Sequence, residues 1–210
     1  MIPFRACPFR LSTVANFCYL YVSDTRPQPK AEGSTPSMRC IGVGRHDVPF
    51  AFKLLMSADP EAIQVPRPGS HKSFNVIAQR EPGVARLLAF LEQIEMPHAQ
   101  PLIRDTIAFL ARPELQGSFF VLDPSDIFIM DDGPSKQQTA RLIDEIRTID
   151  SAIEERLAWV REPLGPVTLA APPRGWVARL FGMPPRPGHV LPGPDPVYRL
   201  EQLGLTGWET

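Results

Sequence analysis

The chain has 210 residues, 43% hydrophobic and 21% charged, with a formal net charge of −1. That is enough for one domain with appendages and a sizeable core, and the near-neutral balance excludes a dedicated electrostatic nucleic-acid binder. No apolar run approaches the roughly 18 residues a membrane helix needs, and three cysteines (Cys7, Cys18, Cys40) in no metal-ligand spacing point to reduced thiols and a cytoplasmic location.

Residues 1–13 show no periodicity. Arg5 and Arg10 are followed by no continuous apolar segment, so the start does not read as a signal peptide. The aromatic and β-branched run Phe17–Val22 predicts a first strand. Val14 is read as the true start, through a GUG initiator, which makes 1–13 a non-native or disordered extension. Thr25–Ser37 is a loop by its Pro, Gly and Ser content, and Met38–Val43 predicts a second strand. Pro49 suits the first turn of a buried helix through Phe50, Phe52, Leu54, Leu55 and Met56, with Asp47 as N-cap. Ala58–Ile63 reads as one further helical turn, and Phe74–Ala78 as a third strand.

Glu81-Pro82-Gly83 opens the next helix with an acid and a proline in its first turn. Val84, Leu87, Leu88, Leu91 and Ile94 form its apolar stripe, and Pro97 stops it. Pro101 opens another helix, with Leu102, Ile103, Ile107 and Leu110 inward until Pro113. The short Met96–Gln100 connection predicts an antiparallel helix pair.

The strongest pattern is Gly117–Val160. Ser118–Leu122 and Ile127–Met130 read as short buried strands joined by the turn Asp123-Pro124-Ser125-Asp126. Ser135 with Gln138 three residues on is a capping-box signature for one long helix over 135–160. Leu142, Ile146, Ile149, Ile153, Leu157 and Val160 make its stripe.

Ten of the 25 prolines fall between Pro163 and Pro196. Val167–Ala170 reads as a strand, Trp176 to Phe181 as an amphipathic turn, and Met183–Pro196 as an extended linker. Tyr198–Trp208, with Leu200, Leu203 and Leu205, is placed to dock on the core. The division expected is an extension over 1–13, a globular domain over 14–162, and a Pro-rich tail over 163–210. The fold class expected is α+β: a small mixed or antiparallel sheet of four to six short strands, packed with about four helices.

Charge is uneven, at +5 over residues 1–80, −7 over 81–162 and +1 over 163–210. The acidic middle suits a basic protein partner, although a solvated helical surface has the same composition. Asp123, Asp126, Asp131 and Asp132 lie within ten residues and are the metal-binding candidates, because clustered carboxylates hold a hard cation or share a proton. The same acids also suit turns and a helix N-terminus.

Cys18, Cys40 and His46 would make a nucleophile–base set only if the first two strands bring them together. A cysteine on a strand is otherwise a small core hydrophobe. His71, His98 and His189 read as solvent-facing. Pro184-Pro185-Arg186-Pro187 has PxxP spacing, which a docking ligand would show, and reads as a spacer. Trp176, Phe181 and Trp208 are either partner anchors or pins for the tail.

Val14-Ala15-Asn16-x-x-Tyr19-Leu20-Tyr21 resembles the opening of an uncharacterised bacterial family, a domain of unknown function, whose members begin Met-Ala-Asn-x-x-Tyr-Leu-Tyr. His46 to Pro60, Glu81 to Glu92 and Thr106 to Leu110 resemble its later segments, over roughly residues 14–160, and Leu203-Gly204-Leu205 with Trp208 resembles a motif near its end. The resemblance implies a fold and supports Val14 as the start, and it names no chemistry. No catalytic signature, cofactor motif, Gly-x-Ser-x-Gly or phosphate-binding loop is present. The functional expectation is a non-enzymatic cytoplasmic interaction protein of immunity or accessory type, binding a basic protein through its acidic central face. The alternative is a divalent-metal-dependent hydrolase or transferase using the Asp cluster.

Overall fold

The computed structural model describes residues 16–27, 38–64, 74–129, 133–162, 167–168, 190–191, 197–206 and 208. Five strands form one antiparallel sheet: β1 (Phe17–Ser23), β2 (Met38–Arg45), β3 (Glu61–Gln64), β4 (Phe74–Gln79) and β5 (Phe119–Asp123), in the order β2-β1-β5-β4-β3. β5 therefore inserts between strands that precede it in sequence, pairing Tyr21 with Val121 on one side and Val121 with Ile77 on the other. The register shifts between Leu20 and Tyr21, which pair with Gly42 and Cys40, so Ile41 is the extra residue of a bulge in β2. A second pairing, of β6 (Val167–Thr168) with β7 (Val190–Leu191), joins two stretches of the tail.

Strand alternation gives the sheet two unlike faces. Cys18, Leu20, Val22, Ile41, Val76, Ala78, Phe120 and Leu122 point into the main core with the helices. Tyr21, Ile77 and Val121 form a smaller cluster on the other face, with Tyr19, Met38, Cys40, Ile63 and Phe119 packed against it.

Seven α-helices are found among the described residues: α1 (Phe50–Leu55), α2 (Arg80–Leu91), α3 (Gln100–Leu110), α4 (Ser125–Phe128), α5 (Ser135–Arg147), α6 (Asp150–Arg161) and α7 (Val197–Gln202). α1 is buried along its whole length, as its composition predicts. α2 buries Leu87, Phe90 and Leu91, with Ile94 just beyond. Removal from water of each fully buried Leu or Phe is worth about 1.5–3 kcal/mol, so these two helices and the sheet are the stable centre.

The α+β class and the antiparallel sheet agree with the reading of the sequence, and several local expectations do not. Ala58–Ile63 is not a helical turn. Asp59 takes a left-handed φ of 57°, Pro60 contributes no amide donor, and the chain enters β3 at Glu61.

Asp123-Pro124-Ser125-Asp126 does not join two strands either. Asp123 Oδ1 accepts from the Ser125 amide and hydroxyl (3.1 and 2.6 Å), and the Pro124 carbonyl accepts from the amides of Ile127 and Phe128, which starts α4. Ile127 and Phe128 then pack on the core from a helix. The capping box is not formed: Gln138 donates its amide to the carbonyls of Gly133 and Phe128 (2.9 and 3.1 Å), fastening α4 to α5. Asp47 accepts from the adjacent Val48 amide at 2.6 Å, and Pro49 holds the N-cap position of α1.

The helix expected over 135–160 is two helices. The Thr148 hydroxyl donates to the Asp144 carbonyl (2.9 Å), and that of Ser151 to the Thr148 carbonyl (2.7 Å), competing with the backbone ladder at the junction. The stripe nonetheless stays on one side, with Leu142, Ile146, Ile149, Leu157 and Val160 buried. On α3 the inward residues are Ile103, Thr106, Phe109 and Leu110, while Ile107 is 38% exposed.

Candidate functional site

Of the four acids of the cluster, Asp123 and Asp126 are among the described residues. Asp123 is buried at the end of β5 with one carboxylate oxygen engaged by Ser125, and Asp126 is half-buried in the single turn of α4. Asp131 and Asp132 lie outside the described residues. No group of three or more His, Cys, Asp or Glu with metal-holding geometry is found among those described.

Of the cysteine–histidine set, the sheet separates the two cysteines. Cys18 sits in the main core at 0% exposure, and burial pushes its thiol up to about 12, far from a reactive thiolate. Cys40 pairs in register with Tyr21 and belongs to the opposite face. His46 lies past the end of β2 with a left-handed φ of 65°, its amide bonded to the Asn16 carbonyl. Two cysteines on opposite faces cannot share a substrate or a metal. His98 is exposed in the 3-10 turn Pro97–Ala99. His71, His189, the PxxP stretch, Trp176 and Phe181 fall outside the described residues.

The acidic central segment is better defined. Glu145 takes an ion pair from Lys53 (2.6 Å), Asp144 pairs with Arg147 (3.8 Å), Glu162 pairs with Arg199 (3.3 Å), and Asp150 pairs with Arg86. Lys53 also lies 3.9 Å from Asp47. Glu92 and Glu95 at the end of α2, and Glu154 and Glu155 on α6, are exposed and in no ion pair among the described residues. Arg161, at the end of α6, donates to the Gln93 carbonyl (2.9 Å), and Arg86 on α2 holds Asp150 at the start of α6. Two side-chain bonds thus link α2 and the turn after it to the two ends of α6.

Neither Glu154 nor Glu155 has a basic residue three or four positions away. Glu92 is the C-cap of α2, the end at which the helix dipole disfavours negative charge.

Two buried cations were not legible in the sequence. Arg80, first residue of α2, donates to the Leu110 carbonyl (2.7 Å) and to Gln116 Oε1 (3.2 Å) and lies over the Phe120 ring, with its Nε buried and unbonded. Burial pulls its pKa down, and the nearby Glu81 opposes this. The partner of Arg80 is the negative end of α3, so its role is to tie α2 to α3. Arg199 does the same for the tail, donating to the carbonyls of Trp159 and Glu162 and lying 5.2 Å over the Trp159 ring. No spacing signal identifies either residue, because every partner is distant in sequence.

Trp208 is a pin. It stacks on Phe109 at 5.4 Å and 26°, approaches Phe52 at 5.7 Å, and donates its indole N–H to Thr106 Oγ1 at 3.3 Å. It also forms an antiparallel bridge to Gly42 on β2.

No helix among the described residues is long and apolar enough to cross a membrane. Compared with known families, residues 24–163 match the family described as a domain of unknown function (DUF7822). The match includes His46–Pro60 and Glu81–Glu92 and begins after Tyr19-Leu20-Tyr21. No curated protein and no solved structure matches the chain.

Proposed function

Since the chain belongs to the DUF7822 family of unknown function, its activity has to be read from its own surface, and we propose that it is a non-enzymatic accessory protein that recognises a basic protein through the exterior of α2 and α6. The observation that carries this reading is the set Glu92, Glu95, Glu154 and Glu155, exposed and outside the ion pairs that engage Asp144, Glu145, Asp150 and Glu162. Charges that do not serve folding are available to a partner, and exposed carboxylates steer a basic surface by long-range attraction.

The test is capture from the native lysate at two salt concentrations, beside a variant carrying E92K, E95K, E154K and E155K. The expected result is one stoichiometric basic protein, released by high salt because exposed charges are screened, and absent from the variant. Equal capture by the variant, salt-independent capture, or none would refute the reading.

The competing reading is a divalent metal held by Asp123, Asp126, Asp131 and Asp132 and used in hydrolysis or group transfer. A metal at about a hundred times its Kd stabilises by roughly 2.7 kcal/mol. A melting temperature raised by Mg²⁺ or Mn²⁺, and no longer raised after Asp131→Asn and Asp132→Asn, would move the function there.

A further inference from the structure

From the way the C-terminal segment is held, we infer that the domain contains a peptide-binding groove, between β2, α1, α3 and the end of α6, whose occupant in this structure is the chain's own segment Val197–Trp208. The groove takes a peptide of the pattern Leu-x-x-Leu-Gly-Leu-x-x-Trp, made by Leu200, Leu203, Gly204, Leu205 and Trp208. This inference is independent of the acidic exterior.

Each contact is of a kind that recognises a peptide. The Leu203 carbonyl accepts from the Ala51 amide at 2.8 Å, satisfying one of the first-turn donors that α1 cannot pair internally. The Leu205 carbonyl accepts from the Thr106 hydroxyl at 3.3 Å, and that hydroxyl accepts in turn from the Trp208 indole. The bridge from Trp208 to Gly42 adds the segment to the outer edge of β2, as an extended peptide adds to a sheet. Leu200, Leu203 and Leu205 are fully buried in the core cluster.

Gly204 is the residue the groove selects most sharply. Its φ is +83°, and a Cβ there would lie 3.1 Å from Pro49 Cγ and closer still to Pro49 Cβ. A side chain at this position meets both backbone strain and a proline ring.

The division of labour follows the family boundary. Gly42, Pro49, Ala51, Phe52, Thr106, Phe109, Trp159 and Glu162 all lie inside the matched segment 24–163, and the occupant lies outside it. Arg199 is bonded to Glu162, so the start of the occupant lies beside the end of α6.

The test keeps the full chain. A specific protease site is placed between residues 170 and 189, the folded protein is cut, and a fluorescein-labelled peptide of residues 197–210 is followed by anisotropy. The expected result is saturable binding to the cut protein, competition by the unlabelled peptide, and binding at least tenfold weaker for peptides carrying Gly204→Ala or Trp208→Ala. Uncut protein should bind about a hundredfold more weakly or less, because a tethered occupant competes at an effective concentration in the millimolar range. Circular dichroism of the cut protein freed of its fragment separates the outcomes. If the cut protein never exchanges its fragment, unfolds on losing it, or binds the Gly204→Ala peptide equally well, the segment is an inseparable part of the core and the inference is overturned.

Discussion

Gly83→Ala in α2 sets two effects of opposite sign against each other. In an ordinary helix the change stabilises, by roughly 1 kcal/mol, because alanine loses less backbone entropy on folding. Here α1 passes directly over the position: a Cβ at Gly83 would lie 2.9 Å from the Leu55 carbonyl carbon and closer still to its oxygen. Ordinary carbon–carbon separations are about 3.5–4.0 Å, and the obstacle is backbone, so α1 and α2 have to separate. They meet through residues that are almost entirely enclosed, including Leu54, Leu55, Leu87 and Phe90. Forced separation of packed elements costs about 1–3 kcal/mol, occasionally more. An approach this close to backbone puts the cost at the upper end, so packing wins, leaving a net loss of about 1–2 kcal/mol and a melting temperature lower by roughly 2–8 °C for a chain of this size.

Ala85→Gly calibrates the helix term. Ala85 is exposed on the same helix and should lose close to 1 kcal/mol through propensity alone. The assay is urea unfolding of parent and both variants, with unchanged slopes as the condition for comparison. A Gly83→Ala protein as stable as the parent, or more so, would refute the close-approach argument.

The buried Cys18 thiol, pushed up to about 12 by burial, should resist alkylation at pH 8 in the folded protein and react within minutes once urea unfolds it; rapid reaction of Cys18 in the native state, located by mass spectrometry, would contradict its placement. Because the folded value lies above the unfolded one, the stability linked to this proton is intact below pH 9 and is lost as pH rises toward about 12, so a Cys18→Ala variant should show a shallower alkaline decline. Lys53 is 10% exposed and Glu145 58% exposed in their pair. Lys53→Met, which keeps the buried stem, should stay within about 1 kcal/mol of the parent, and Glu145→Gln should lose no more than about 1 kcal/mol, a loss that fades in high salt; a melting-temperature drop of core-cavity size for either would be wrong for this geometry. Arg80→Lys should cost about 1–2 kcal/mol in urea unfolding, since one ammonium cannot span the Leu110 carbonyl and Gln116 as the planar guanidinium does.

What could be read without coordinates was whatever repeats within a few residues. Alternation and aromatic content mark β1, β2, β4 and β5, and the three-and-four spacing of Leu87, Leu91 and Ile94 marks α2 and its inward face. The buried stripe over Leu142–Val160 was visible as well, because one face of a helix is a local property. The break at Thr148 was missed because a hydroxyl that bonds its own backbone leaves no mark on apolar periodicity. α4 was misread because Ile127 and Phe128 suit a strand and a short helix equally until Asp123 is seen to hold Ser125.

The rest was decided by residues far apart in the chain. The insertion of β5 between β1 and β4, the two unlike faces that part Cys18 from Cys40, and the ion pairs that divide engaged from unengaged acids all depend on tertiary neighbours. Lys53 reaches Glu145 across 92 positions, and Trp208 reaches Thr106 across 102. A local window weighs each side chain against its sequence neighbours, whereas the free energy of an ion pair or a stacked indole is set by the partner that folding brings to it.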